Sequence, residues 1–181
     1  MQILGISGSI RSGSYNRALH SAAAGLMPES GHLAISDLHK IPLYDDELAR
    51  EDPPQAVIAF REYITQSDGL LIASPEYNYS ISGVLKNALD WAGTHTLGNL
   101  LEEKIIAIMG ASRTIFGTVR AQLHLRQVLQ AANAIVIRKP EVYVPRVQDL
   151  VAEDNNIQDE RTLEKMRALL EVLLSEIRRH Q

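Results

Sequence analysis

The 181-residue chain contains no cysteine, no long apolar run and no strong excess of charge of either sign. Without cysteine it forms no disulfide and offers no thiolate as a nucleophile or metal ligand. No apolar run approaches the roughly 20 residues that a membrane-spanning helix requires. The sequence begins without a basic segment, so we expect no signal peptide, no membrane insertion and a cytoplasmic protein.

The formal net charge is −4, and 45% of the residues are hydrophobic. Nucleic-acid-binding proteins carry a basic face, so this balance argues against such a partner. The six histidines lack metal-site spacing, and we expect His20 and His124 to be surface or interface residues on helices. The run Asp45 to Glu47 is more typical of a solvated loop than of a metal site. We expect one domain over residues 1–181, long enough to bury a substantial core.

Apolar segments with the length of buried strands alternate with segments of helical periodicity. The predicted strands are residues 1–6, 33–35, 68–74, 104–110 and 134–137. The predicted helices are residues 15–26, 55–66, 82–92, 118–132 and 161–178. Such alternation predicts an α/β fold with a parallel sheet covered by helices on both faces. Right-handed crossovers favour a three-layer, doubly wound arrangement, and five strands suit the flavodoxin-like order 2-1-3-4-5.

The loop after the first predicted strand combines hydroxyl groups, glycine and one arginine. Its residues of these types are Ser7, Gly8, Ser9, Arg11, Ser12, Gly13 and Ser14. A helix begins near Ser14 or Tyr15, so its unpaired N–H groups and positive dipole end face this loop. The loop therefore indicates a phosphate site. The alternative is a Ser/Gly turn in which Ser12 or Ser14 only caps the helix. The position after the first strand favours the phosphate, because ligands bind at the carboxyl ends of such strands.

Three well-known motifs are absent from this loop. Gly8 and Gly13 have P-loop spacing, but Ser14 and Tyr15 stand where Lys and Ser/Thr are required. The dinucleotide motif G-x-G-x-x-G is missing, and residues 5–9 depart from G-x-S-x-G at the last position. The loop therefore suits a single phosphate and argues against an ATPase, a kinase or a serine hydrolase.

A second informative segment, residues 74–80, follows the third predicted strand. In the order 2-1-3-4-5, strands one and three flank the switch point, so this segment faces the phosphate loop. Tyr77 and Tyr79 offer flat surfaces, which together with the phosphate loop favour a mononucleotide with a planar ring. The alternative is a strand-to-helix turn with Tyr77 on the surface and Ser80 or Ser82 as the helix cap.

These segments resemble the NADPH-dependent FMN reductases, a flavodoxin-like family that includes quinone, chromate and azo-dye reductases. Residues 8–17 resemble the first loop of the family, and residues 75–78 with 85–91 resemble its second signature. Residues 120–126 are similar to its fourth helix. The resemblance extends over essentially the whole chain, including residues 140–145 and the last helix.

The resemblance implies an enzyme in which FMN passes hydride from NADPH or NADH to quinones, free flavin, azo dyes or chromate in a ping-pong cycle. The flavin carries the chemistry, so no catalytic side chain and no metal is expected. The residues implied to bind FMN are Ser9, Ile10, Arg11, Ser14, Tyr15 and Asn16 at the phosphate, Pro75, Glu76, Tyr77 and Asn78 beside the isoalloxazine ring, and Gly110, Ala111 and Ser112 at the fourth strand.

The sequence departs from the family pattern in two places. Ser82 replaces an expected proline, and Arg113, Thr114 and Thr118 occupy a loop that is usually richer in glycine. That loop borders the flavin and the nicotinamide, so the preferred donor and acceptor remain open. The alternative functions are a flavodoxin-type electron carrier without turnover and a module that binds another nucleotide. The weak net charge and Arg113 argue against a carrier, which tends to be acidic around its flavin.

The resemblance also implies a homodimer or homotetramer, with the helices that begin near Ser82 and Thr118 at the interface. Trp91, Leu125 and Leu129 are candidate interface residues. The same apolar pattern would serve the core of a monomer.

Overall fold

Six parallel strands form the central sheet in the computed structural model, which describes residues 1–152 and 156–181. The strands are β1 (Gln2–Ser7), β2 (His32–Ser36), β3 (Gly69–Ala73), β4 (Ile105–Ala111), β5 (Ile135–Val136) and β6 (Val142–Val144). The path β2-β1-β3-β4-β5 confirms the predicted order. Each neighbouring pair on this path is parallel.

The edge of the sheet beyond β4 differs from the prediction. β5 contains two residues and pairs with the first half of β4. β6 pairs in parallel with the second half, where Met109 lies opposite Val142. Pro140 lies between the two segments and has no N–H to donate to a ladder. The prediction of five strands was therefore wrong by one, because a three-residue strand is too short to show a period.

The helices cover both faces of this sheet. They are α1 (Tyr15–Leu26), α2 (Asp46–Glu51), α3 (Gln55–Gln66), α4 (Gly83–Gly93), α5 (Val119–Ala131) and α6 (Glu160–His180). In the part of the chain that the structure describes, no helix is both long and apolar enough to cross a membrane. The short helix α2 replaces the acidic loop expected at residues 45–47. Asp45 begins it by accepting hydrogen bonds from the N–H groups of Glu47 and Leu48.

The core consists mainly of two apolar layers, one on each face of the sheet, with a small third cluster around Trp91. α1 and α6 pack on one face, and α3, α4 and α5 pack on the other. Side chains alternate between the faces along β3: Leu71 belongs to the first layer, and Leu70 and Ile72 belong to the second. All five residues of β3 are buried, as expected for the central strand of a doubly wound sheet.

Four side chains lie deeper than the sequence suggested. Trp91, Leu125 and Leu129 are fully buried within the single chain, so they are core residues and not interface residues. His20 is also fully buried, and the prediction that it lies at the surface was wrong. Its ring fits over β1 because Gly5 has no side chain: a Cβ there would lie 3.2 Å from the His20 Cδ2 atom.

Candidate functional site

The loop between β1 and α1 presents a group of free backbone donors at the carboxyl edge of the sheet. Residues 10–13 are exposed, and their four N–H groups donate to no protein acceptor within the described residues. The N–H groups of Tyr15 and Asn16 in the first turn of α1 are likewise free there. Arg11 has no ion-pair partner among the described residues. Six N–H groups and one guanidinium form a donor set that fits an anion.

The hydroxyl groups of this loop divide into free and structural ones. Ser14 caps α1, with its Oγ accepting from the Arg17 N–H at 3.4 Å. This is the capping role that the alternative interpretation gave Ser14, and it leaves the hydroxyl hydrogen without an acceptor among the described residues. The buried Ser9 makes no side-chain hydrogen bond within the described residues, and the hydroxyl of Ser12 is also free there. Two hydroxyls thus remain uncommitted beside the N–H groups.

Asn16 faces the sheet and not the loop. Its side-chain Nδ2 donates to the Ala111 carbonyl at 3.1 Å, and its Oδ1 accepts from the Ala111 N–H at 3.0 Å. The carboxamide is buried, so it connects α1 to the end of β4. Of the groups on Asn16, the backbone N–H is the one that remains available to the phosphate loop.

Two short contacts join the β1–α1 loop to the segment after β3. The Ser82 Oγ donates to the Gly8 carbonyl at 2.5 Å and accepts from the Leu85 N–H at 3.1 Å. Ser82 therefore caps α4, as the sequence allowed, and also links the two loops. A Cβ at Gly8 would lie 2.9 Å from the Pro75 Cδ, so only glycine allows this approach. The structure thus places Pro75 directly against the predicted phosphate loop.

Residues 77–80 form a tight hairpin. The backbones of Tyr77 and Ser80 exchange two hydrogen bonds of 3.0 Å each. Asn78 and Tyr79 form the turn, with φ angles of 49° and 69°. Positive values at both central residues define a type I′ turn. Tyr77 and Tyr79 are 49% and 65% exposed, so the hairpin offers aromatic residues to a ligand.

Glu76 is oriented toward α5. Its Oε2 accepts from the backbone N–H groups of Arg120 and Ala121, at 3.1 and 3.3 Å. Its Oε1 accepts from the Arg120 Nε at 2.6 Å. Since Thr118 makes no side-chain capping bond, this carboxylate satisfies the first turn of α5 in its place. A contact between the Glu76 carboxylate and a flavin stays a prediction.

The end of β4 approaches the same edge through a small residue. A Cβ at Gly110 would lie 2.5 Å from the Ser74 carbonyl oxygen and would also overlap Thr118. The following Ser112 donates its N–H to the Val144 carbonyl at 3.0 Å, which attaches the loop to β6. Arg113 and Thr114 are exposed, whereas Thr118 is buried with φ 74°. Thr118, which lies in the loop expected to be richer in glycine, therefore has a backbone conformation that β-branched residues rarely adopt.

The three predicted segments therefore meet at one edge, held together by Ser82–Gly8, Asn16–Ala111 and the close approach of Gly110 to Ser74. A cavity of about 600 Å³ along α4 and α5 contains none of the predicted site residues. Within residues 1–152 and 156–181, no cluster of acidic or histidine side chains is suited to a metal ion.

Two residues that connect these loops were not predicted from the sequence. Arg120 lies with its guanidinium carbon 3.8 Å from the Tyr79 ring centre and 4.1 Å from the Phe116 ring centre. His124, one turn further along α5, has its Nδ1 atom 3.0 Å from the Ser80 Oγ. In the sequence alone, both are indistinguishable from the other polar residues of an amphipathic helix. The signal available was the spacing of four between Arg120 and His124, which places both on one side of α5.

Comparisons with known proteins find similar sequences among FMN reductases and quinone reductases. The sequence profile of NADPH-dependent FMN reductases matches residues 1–149. An NAD(P)H-dependent FMN reductase from Pseudomonas aeruginosa is 42% identical over 179 residues, which is 99% of this chain and 96% of the relative. A quinone reductase from Escherichia coli strain K12 is 36% identical over 169 residues, covering 92% and 89% of the two chains.

Solved structures show the same fold. A flavoenzyme NAD(P)H:(acceptor) oxidoreductase from Paracoccus denitrificans superposes with a TM-score of 0.90 and 28% sequence identity. The match covers 99% of this chain and 98% of that one.

Proposed function

The chain belongs to the NADPH-dependent FMN reductase family, and on that premise we propose where it holds FMN and how it uses the cofactor. It is an NAD(P)H-dependent oxidoreductase, and its similarity to a quinone reductase indicates quinones as a class of electron acceptor. We place the flavin at the edge formed by the loops after β1, β3 and β4. The observation that carries this placement is the set of six free N–H groups at residues 10–13 and in the first turn of α1.

These N–H groups, Arg11 and the hydroxyls of Ser9 and Ser12 would bind the FMN phosphate. The helix dipole of α1 favours the same negative charge. The Ser14 hydroxyl adds a donor while its oxygen remains a cap. The donor set is large enough for one phosphate and contains no lysine for a second one, which agrees with a mononucleotide.

The ring of the flavin would lie against Pro75, Tyr77 and Asn78 on one side and residues 110–112 on the other. The exposed Tyr77 side chain provides apolar contact. The Asn78 N–H donates to no protein acceptor within the described residues, so it is free to bind a polar atom at the ring edge. Such a donor stabilises negative charge that develops on the ring during reduction.

When bound, FMN would supply the redox chemistry that passes reducing equivalents from NAD(P)H to the acceptor. The residues of this chain bind and orient it, and no protein acid or base is required for hydride delivery. We propose a ping-pong cycle in which the nicotinamide leaves before a quinone, free flavin, azo dye or chromate enters. The exposure of the hairpin at residues 77–80 supports alternating access to one open face.

We further propose that residues 1–181 form one flavin-binding domain that acts as a cytoplasmic homodimer or homotetramer. An exposed apolar group next to the flavin loops supports association between copies. It consists of Tyr79, Ile115, Phe116 and Leu123, each at least 48% exposed. Light scattering at micromolar concentration tests this part of the proposal, and a monomer mass would contradict it.

The test of function uses the purified protein with excess FMN, NADPH or NADH, and a panel of acceptors. A yellow protein that oxidises the nicotinamide in the presence of quinones, with parallel double-reciprocal plots, would support the cycle. A flavin that binds but is not reduced on a catalytic timescale would instead indicate an electron carrier. A protein that stays colourless with excess FMN would refute the flavin site itself.

A further inference from the structure

We propose that Arg120 is a positioning residue: it holds the hairpin at residues 77–80 in the shape that meets the flavin ring. The inference rests on the proposed flavin site, and it concerns a residue outside the set predicted to bind FMN. Its basis is a chain of contacts that runs from α5 through Arg120 to the turn of the hairpin.

The turn of the hairpin is conformationally costly. Asn78 and Tyr79 both have positive φ angles, 49° and 69°. Asparagine tolerates this region, but a bulky side chain such as tyrosine is disfavoured there. Within the hairpin, the backbone support is the pair of hydrogen bonds between Tyr77 and Ser80. Contacts from outside the hairpin therefore have to stabilise the turn.

Arg120 supplies these contacts. Its guanidinium carbon lies over two rings, 3.8 Å from the centre of Tyr79 and 4.1 Å from that of Phe116. Tyr79 belongs to the hairpin and Phe116 to the loop after β4, so one flat cation joins both loops. A stacked guanidinium presents a planar face that a lysine ammonium lacks.

The charge of Arg120 is itself held in place. The Glu76 carboxylate accepts from its Nε at 2.6 Å and also pairs with the terminal NH2 group. The side chains of Glu76 and Arg120 are 6% and 26% exposed, so this ion pair is largely shielded from water. A carboxylate buried to this degree requires a partner, which fixes the direction of the guanidinium. The orientation of Tyr79 thus depends on the ion pair between Arg120 and Glu76, although Tyr79 is not a member of that pair.

Loss of Arg120 should loosen the hairpin without unfolding its surroundings. Glu76 still accepts from the N–H groups at the start of α5. His124 keeps a second contact between α5 and the hairpin, with Nδ1 3.0 Å from the Ser80 Oγ. A looser hairpin has to be ordered again when the flavin binds, and this lowers the affinity.

The experiment compares the wild type with Arg120→Met, Arg120→Lys and the control Arg126→Met. Arg126 lies on the same helix and donates to the Ile137 carbonyl at 2.9 Å, away from the hairpin. Hydrogen exchange at the Tyr77 and Ser80 amides, measured by NMR without flavin, reports on the hairpin directly. Quenching of FMN fluorescence gives the affinity, and thermal melting establishes that each variant is folded.

In Arg120→Met, we expect the Tyr77 and Ser80 amides to exchange at least about fivefold faster than in the wild type. The same variant should bind FMN about three- to tenfold more weakly. Arg120→Lys, which keeps the charge but not the flat face, should fall between Arg120→Met and the wild type. Arg126→Met should leave both quantities unchanged. Unchanged exchange in a folded Arg120→Met would overturn the proposal. So would faster exchange with unaltered FMN affinity, since Arg120 would then stabilise the hairpin without positioning it for the flavin.

The same measurements separate this proposal from the proposed function. If the wild type bound no FMN, the flavin site would be refuted, while the exchange rates would still decide whether Arg120 holds the hairpin. If the wild type binds FMN and Arg120→Met matches it in both readouts, only the positioning role falls.

Discussion

The carboxamide of Asn16 pairs with both backbone groups of Ala111, a residue 95 positions away along the chain. This pair connects the helix that follows the phosphate loop to the strand end that borders the proposed ring site. The ladder between β3 and β4 ends at the pair Ala73–Met109, so these buried backbone groups of Ala111 would otherwise lack hydrogen bonds, which is costly. Asn16 thus aligns two parts of the site from within the core.

Asn16→Ala should therefore lower both stability and FMN affinity. The loss of two buried hydrogen bonds should reduce the free energy of unfolding by about 2–4 kcal/mol, measured by urea denaturation. The matched control is Asn99→Ala, because Asn99 also pairs with two backbone groups, the Ala132 carbonyl and the Leu101 N–H. The control should lose stability without losing FMN affinity. Equal FMN affinity in both variants would contradict the role assigned to Asn16.

Arg11→Met tests the phosphate site. The side chain is exposed and forms no ion pair within the described residues, so stability should stay unchanged. Loss of a charged contact to phosphate should weaken FMN binding by about 1.5–3 kcal/mol, roughly 10- to 150-fold. Riboflavin lacks the phosphate, so its affinity should be the same in the variant and the wild type. The exposed Arg138 provides a control, and Arg138→Met should bind FMN normally. An equal loss for riboflavin and FMN would place Arg11 away from the phosphate.

Gly110→Ala should be strongly destabilising. The added Cβ would lie 2.5 Å from the Ser74 carbonyl oxygen, and backbone atoms cannot yield cheaply at a strand end. We expect the free energy of unfolding to fall by about 3 kcal/mol or more. Gly25→Ala is the control, since a Cβ there meets nothing within 4 Å in α1. That change should stabilise the protein by about 0.5–1 kcal/mol. A melting temperature for Gly110→Ala equal to that of the wild type would contradict the close approach.

His20 should make the stability depend on pH. Burial lowers the pKa of His20 from 6.5 to about 4, although its hydrogen bond to the Leu71 carbonyl opposes this shift. The unfolded chain therefore binds a proton more readily than the folded one between these values. The stabilisation by neutral His20 is fully present above pH 6.5 and is lost as the pH falls toward 4. The total loss should be about 3 kcal/mol.

Urea denaturation between pH 7.5 and 4.5 measures this loss, with His20→Gln as the reference because glutamine can still donate to the Leu71 carbonyl. The variant should lack most of the decline between pH 6.5 and 4.5. The carboxylates with lowered pKa, including Asp37 and Asp159, contribute mainly at lower pH and are present in both proteins. Identical pH profiles for the variant and the wild type would show that the buried ring does not control this decline.

Patterns along the chain were sufficient for the sheet order and for the three loops that meet at its edge. Apolar strands and amphipathic helices are local signals, and the crossover rule restricts how they assemble. Short elements lack such signals, which explains the missed β6 and α2. The burial of His20 depends on the absence of a side chain at Gly5, a contact between two elements that no period reveals.

The direction of polar side chains within the site was the least predictable part. Glu76 lies in the predicted ring loop, yet its carboxylate stabilises α5. Asn16 lies in the predicted phosphate segment, yet its carboxamide binds β4. In both cases buried backbone groups that need partners decide where the side chain points. The sequence predicts that such residues lie in the site, but it does not reveal which groups their side chains bind.

Anaerobic stopped-flow mixing of the FMN-loaded protein with NADPH or NADH tests the central claim most directly. We predict that FMN binds to the purified chain and that its visible absorbance falls on the timescale of turnover. The absorbance should return when a quinone is added. A chain that fails to bind FMN, or a bound flavin whose absorbance NADPH and NADH both leave unchanged, would contradict the account.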